Sequence, residues 1–188
     1  MKNLKFSRLF ATMMFVACLA FTGCTPVTEE KINEVEKVIV VRPLEADDGI
    51  VGTWAASQWE QYVVTTTGFD AVGTYSGNNI VIVEDSEDSG RLFVKYTKAI
   101  EYSSTEPAED SENPWLYSSY FKNWYRYSTT APDVGNWYVI SYKNLTDDSV
   151  SIAGAAGEKT SFQKLEDAVK EATPDNGYFN YYSECTKQ

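Results

Sequence analysis

Along most of this chain the apolar residues come in short runs that alternate with polar ones and are separated by turn-forming residues. A period of two predicts half-buried β-strands. Residues 50–64 read as a first, long strand segment containing Trp54, Trp59, Tyr62, Val63 and Val64. Residues 69–75 follow, and Gly77-Asn78-Asn79 reads as a tight turn, since Gly and Asn tolerate positive φ. Residues 80–83 are apolar, 84–90 form an acidic turn, and 92–102 alternate, with Leu92, Val94 and Tyr96 on one face. After an acidic loop over 106–114, residues 115–127 read as one strand. Trp115, Tyr117, Phe121, Tyr125 and Tyr127 share one face, and Leu116, Ser118, Tyr120, Lys122, Trp124 and Arg126 share the other. Residues 137–142 and 150–153 are further strands. The period then changes: Thr160 and Gln163 form a capping box, and Phe162, Leu165, Val169 and Ala172 make one apolar stripe of a helix that Pro174 stops. Residues 178–185 close the pattern as a strand. Seven strands, a helix and an eighth strand predict an all-β, antiparallel, up-and-down eight-stranded barrel with one C-terminal helix.

The start of the chain is different in kind. Lys2, Lys5 and Arg8 precede an apolar run over 9–21, which ends in Phe21-Thr22-Gly23-Cys24 before the chain turns polar at Thr25-Pro26. A basic start and a short apolar run make a secretory signal. The run falls short of the roughly 20 apolar residues that a spanning helix needs. Residues 21–24 resemble the lipobox of bacterial lipoproteins, which implies that Cys24 carries lipid and becomes the mature N-terminus. Cys18 is a rival, but the residues after it are still apolar, so cleavage there would cut the run in its middle. On this basis the chain divides into a lipoprotein-type signal peptide (1–23), a lipidated N-terminus and stem (24–48) and a barrel domain (49–188). The apolar run 38–41 fits either an extra strand against the domain or part of an extended tether. The expected location is the bacterial cell envelope, with the lipid holding the protein to a membrane.

Composition narrows the functions. The signal holds three of the 16 basic residues and none of the 27 acids, so the mature chain carries 13 against 27, a net of −14. Such a chain lacks the basic face that nucleic acid requires. It also has little attraction for an anionic membrane surface, which leaves the lipid as the membrane contact. There is no histidine. That removes the ordinary general base near neutral pH and the commonest metal ligand. No Gly-X-Ser-X-Gly elbow or marked carboxylate pair takes its place. The expectation is a protein that is no enzyme and carries no cofactor or metal. Residues 85–90 hold oxygen ligands at alternate positions, but the twelfth place of a calcium loop, where a bidentate Glu is needed, is Tyr96. With Cys18 in the signal and Cys24 acylated, Cys185 has no partner for an intrachain disulfide.

Gly52-Thr53-Trp54 resembles the Gly-X-Trp that opens the first strand of lipocalins and related small ligand-binding barrels. The tail is similar to that of spirochaetal lipoproteins with lipocalin-like domains. Its residues are Tyr142-Lys143-Asn144-Leu145-Thr146, Leu165-Glu166-Asp167-Ala168-Val169-Lys170 and Asn176-Gly177-Tyr178-Phe179. The resemblance implies a lipocalin- or calycin-like barrel over about 49–185, with Gly52 and Trp54 closing one end and a small apolar ligand within. Trp115, Tyr117, Phe121, Tyr125 and Tyr127 are the candidate lining, because aromatic rings supply contact area while Tyr and Trp tips orient a guest. The same alternation also describes plain barrel core. If instead Tyr120, Trp124 and Arg126 face outward, they form a patch for an envelope protein or glycan partner. Two functions follow: capture of a small apolar ligand, or surface interaction and adhesion without one.

Overall fold

The computed structural model describes residues 39–156 and 160–188. The expected signal peptide, Cys24 and the stem up to residue 38 lie outside the described residues. In chain order the strands are β1 (Arg42–Pro43), β2 (Gly52–Ser57), β3 (Glu60–Thr65), β4 (Gly68–Ala71), β5 (Ser76–Glu84), β6 (Gly90–Ser103), β7 (Leu116–Ser118), β8 (Asn123–Ser128), β9 (Trp137–Lys143), β10 (Ser149–Gly154), β11 (Ser161–Phe162) and β12 (Ser183–Lys187), with helix α1 (Leu165–Glu171) before the last. Eight of them, β2, β3, β4, β5, β6, β9, β10 and β12, are hydrogen-bonded in that order. β12 returns antiparallel to β2, with Lys187 opposite Trp54, and closes an up-and-down barrel.

The count of eight agrees with the expectation because two misreadings cancel. Residues 50–64 are two strands, β2 and β3, folded at residues 58–59. Residues 115–127 are not a barrel strand but the hairpin β7–β8, outside the ring. Gly77-Asn78-Asn79 is not a turn either. It lies within β5, where Asn79 at φ 53° coincides with a shift of register against β6, the signature of a bulge. The true β4–β5 turn is residues 72–75, where Gly73 supplies φ 81° and the Ala71 amide donates to the Tyr75 carbonyl.

Parity assigns the core. Leu92, Val94, Ile140, Tyr138 and Ile152 share one face through the β6–β9 and β9–β10 registers. With Trp54, Val64, Ile82 and Val150 they pack inside the ring at 5% exposure or less. Each such side chain contributes roughly 1.5–3 kcal/mol on burial. The opposite parity of β6 and β9, Phe93 and Val139, faces outward and is just as buried, because α1 packs against these strands from outside. The helix starts later than its sequence suggests. Ser161 and Phe162 pair with Tyr138 and Trp137 as β11, so extended backbone replaces the expected capping box, and Lys164 is an N-cap without a side-chain bond. The buried Arg91 guanidinium donates to the carbonyls of Val169 (2.9 Å) and Ala172 (3.0 Å) at the end of this helix, and to Asp85.

Part of the segment expected as stem belongs to the barrel. β4 is shorter than β5, and Arg42–Pro43 pairs with Val81 and Ile82 on the uncovered edge. Leu44 is buried. Arg42 donates to both oxygens of Asp48 (2.8 and 2.6 Å) and to Glu84 (2.7 Å), which fastens the turn over 45–48. Ile39, Val40 and Val41 are exposed and precede the pairing.

Candidate functional site

The two barrel ends differ in chemistry. At the Gly52 end, the Trp54 indole is fully buried and donates to the Ile50 carbonyl at 2.8 Å. The Lys187 ammonium lies 5.1 Å from its ring centre, a cation–π contact that caps the indole. Gly52 makes room for this, since a Cβ there would come within 3.1 Å of the Lys187 stem. Gly52 and Trp54 thus stand together at this end, with a lysine over the indole.

The other end, the mouth, is lined by tyrosines. β3 alternates Glu60, Tyr62, Val64 inward; Val64 is buried while Tyr62 and Glu60, nearer the rim, are half-buried. The Tyr62 hydroxyl donates to Glu60 at 2.6 Å, and the Ser183 hydroxyl at the start of β12 donates to the same oxygen. From Tyr62 the rings continue to Phe69 (5.8 Å) and on to Tyr75 (6.0 Å). Tyr75 meets Tyr138 edge-on at 5.0 Å, and Tyr138 stacks on Tyr96 at 4.7 Å. Gly154 admits this cluster: a Cβ there would collide with the Tyr138 hydroxyl and come within 3.0 Å of that of Tyr75. The Tyr138 hydroxyl donates to the Ala155 carbonyl at 3.2 Å. Burial pushes the Tyr75 phenol up to about 12 and those of Tyr62, Tyr96 and Tyr138 higher still, so all four are neutral hydroxyls at physiological pH.

The five aromatics expected to line a cavity are distributed differently. Residues 119–122 turn the chain, with Lys122 at φ 53° and the Ser118 hydroxyl accepting from the Phe121 amide. One face of one strand therefore does not exist. Tyr117 and Phe121 are exposed. Trp115 lies under the Arg126 guanidinium at 4.5 Å. Tyr125 and Tyr127 contact each other edge-on at 6.3 Å on β8. β8 pairs with residues 99–103 of β6, the part of that strand that runs on past the ring. Tyr127 alone of the five reaches the mouth electrostatically, where its phenol raises those of Tyr75 and Tyr96. An open groove of about 620 Å³ runs along the hairpin beside Trp115, Arg126 and the acidic loop from Pro107 to Glu112. Arg126 donates to Asp110 in its wall (2.9 Å) and to Glu101 beside it (3.1 Å).

Exposed apolar surface gathers at the same end. The hairpin shows Leu116, Tyr117, Tyr120 and Phe121, the end of β6 beside it shows Tyr102, and the mouth loops show Trp59, Val72 and Tyr181. Among the described residues the other large apolar side chains left exposed are Ile39, Val40 and Val41. Also among the described residues, no group of three or more acidic or cysteine side chains is placed to hold a metal ion. The mouth brings together half-buried Glu60, Tyr62 and Tyr75 above the buried rings of Phe69, Tyr96 and Tyr138, and the charge of Asp133 reaches Tyr96. Glu60, Tyr62, Tyr75 and Tyr138 are absent from the sequence-based candidates, although Glu60 and Tyr62 share the inward parity of Val64. Comparison with protein families, curated proteins and solved structures finds no match for this chain.

Proposed function

We propose that the chain is an exported, lipid-anchored envelope protein that binds a small ligand with an apolar, planar body at the mouth of its barrel. The observation that carries this is the contrast between the two ends. At the Gly52 end Ile50, Trp54 and Val64 are at most 1% exposed, whereas the mouth ends in half-buried Glu60, Tyr62 and Tyr75 above buried Phe69, Tyr96 and Tyr138. Binding removes ligand and ring surface from water, at roughly 25 cal/mol per Å² of apolar area. The signal-like start and Cys24 support export and lipidation. Residues 39–41 lead into β1 from the Gly52 side of the barrel.

The test has two arms. Radiolabelled palmitate incorporation in cells should be lost with Cys24→Ala. Native mass spectrometry and tryptophan quenching with a panel of planar apolar compounds should report a complex that Tyr75→Ala and Gly154→Val weaken. Labelling that survives Cys24→Ala removes the anchor, and a panel with no binder removes the ligand.

The exposed aromatics of the hairpin support a second reading, capture of an envelope protein or glycan partner. Replacing Tyr120 and Phe121 by Ser should then abolish crosslinking on intact cells while small-ligand binding at the mouth is retained.

A further inference from the structure

Resting on the reading of the mouth as a ligand site, we infer that the guest is an organic cation: an amine or quaternary ammonium group on an apolar body, with Glu60 as its counter-charge. Glu60 is the acid that β3 turns inward, and its hydrogen bonds come from two neutral hydroxyls, those of Tyr62 and Ser183. Those bonds orient the carboxylate, and neither donor carries a charge to offset its own. The arginines beyond the signal are engaged elsewhere. Arg42 is on Asp48 and Glu84, Arg91 on Asp85, and Arg126 on Glu101 and Asp110. Lys95, Lys143 and Lys187 lie over Trp137, Tyr182 and Trp54. Among the described residues no basic side chain is bonded to Glu60.

What surrounds this charge is aromatic. The rings of Tyr62, Phe69, Tyr75, Tyr138 and Tyr96 form one contiguous series from the Glu60 side of the mouth to the opposite wall. Ring faces attract cations through their quadrupole, most strongly when water is displaced. A carboxylate beside such rings favours a positive guest twice over and repels an anion. A neutral guest would leave a half-buried carboxylate partly desolvated and unpaired, which costs free energy. The strongly acidic chain adds a field that draws cations and slows anions.

Isothermal titration calorimetry of the exported chain, purified as the cell makes it, tests this with three ligands of one shape: 2-phenylethylammonium, 2-phenylethanol and phenylacetate. The cation should bind at least about tenfold more tightly than the alcohol, the equivalent of about 1.4 kcal/mol, and phenylacetate should not bind detectably. Glu60→Gln keeps an acceptor for the two hydroxyls. It should erase the cation's advantage over the alcohol, and Tyr62→Phe should keep the preference. Equal binding of alcohol and cation, or binding led by phenylacetate, overturns the cation inference and leaves the mouth as a ligand site. Failure of all three to bind at millimolar concentration takes away both. The comparison of the three ligands on the unaltered protein needs no variant to fold.

Discussion

Arg91→Met isolates the joint between barrel and helix. The Arg91 side chain is 3% exposed. Its Nη1 donates to the carbonyls of Val169 and Ala172 at 2.9 and 3.0 Å, and its Nε and Nη2 donate to Asp85 at 3.1 and 3.2 Å. A cation at the end of α1 also meets the negative end of the helix dipole. Methionine fills much of the same space with an apolar stem and donates nothing. Two buried carbonyls then lose their donor, at about 1–3 kcal/mol each. Asp85 is about a third exposed and has further interactions, so its share is small. The expected loss is about 3–5 kcal/mol, the range for breaking a buried charged contact by removing one partner.

Domains of this kind are stable by about 5–15 kcal/mol, so the loss is a large fraction. With a urea slope of about 2 kcal/mol per molar, the unfolding midpoint should fall by roughly 2 M. Tryptophan fluorescence reads the midpoint, and hydrogen exchange at Ala168 and Ala172 reads whether α1 loosens first. Arg91→Lys should recover only part of the loss, because an ammonium cannot span both carbonyls and Asp85 with a planar fork. A midpoint within about 0.5 M of the parent for Arg91→Met, or full recovery with Lys, would show that the helix is held by its apolar face alone.

Acid should weaken the fold through Asp48 and Asp110. Burial raises Asp48, but the bonds from Arg42 and the Glu45 amide outweigh it and hold the carboxyl below its ordinary value of 3.8. The amides of Asn113 and Glu112 and the charge of Arg126 lower Asp110. A carboxyl lowered on folding stabilises the fold above its unfolded value and loses that contribution as pH falls through the folded one. Stability should therefore drop from about pH 4 downward, and Asp48→Asn should flatten the drop; a parent curve level to about pH 2 contradicts this. Cys185 is buried and its thiol is pushed up to about 11 by burial, so it should react with a thiol reagent only as fast as the barrel opens, and prompt native labelling would refute that. Gly154→Ala places a Cβ against Tyr138; a loss of roughly 1–3 kcal/mol in a thermal melt is expected, and an unchanged melting temperature would show that the tyrosines shift without cost.

The barrel class was legible because period-two alternation survives wherever one face of a strand meets the core. The alternation places Leu92, Val94 and Tyr96 on one face, and there they meet Ile140 and Tyr138. The failures have one source: turns and bulges built from residues that do not advertise them. Lys122 takes φ 53° in the β7–β8 turn, where a glycine would have betrayed the break, while Gly77 and Asn79, which do look like a turn, sit inside β5. Ser161 and Phe162 were drawn into sheet pairing, so a helical stripe read from sequence lost its first turn to a tertiary contact.

The candidate site is hidden for a related reason. Aromatic density, the signal that singled out residues 115–127, marks a hairpin that leaves much of its apolar surface in water. The mouth draws its rings from separate strands and their turns: Tyr62 from β3, Phe69 from β4, Tyr75 from the β4–β5 turn, Tyr96 from β6 and Tyr138 from β9. No window of sequence contains them, because a barrel gathers its lining by closure rather than by proximity along the chain. One local clue was available. Glu60 shares parity with Tyr62 and Val64, and a carboxylate on the inward face of a strand is costly unless something meets its charge. Such a residue, out of place by pattern, is the local pointer to this end of the barrel.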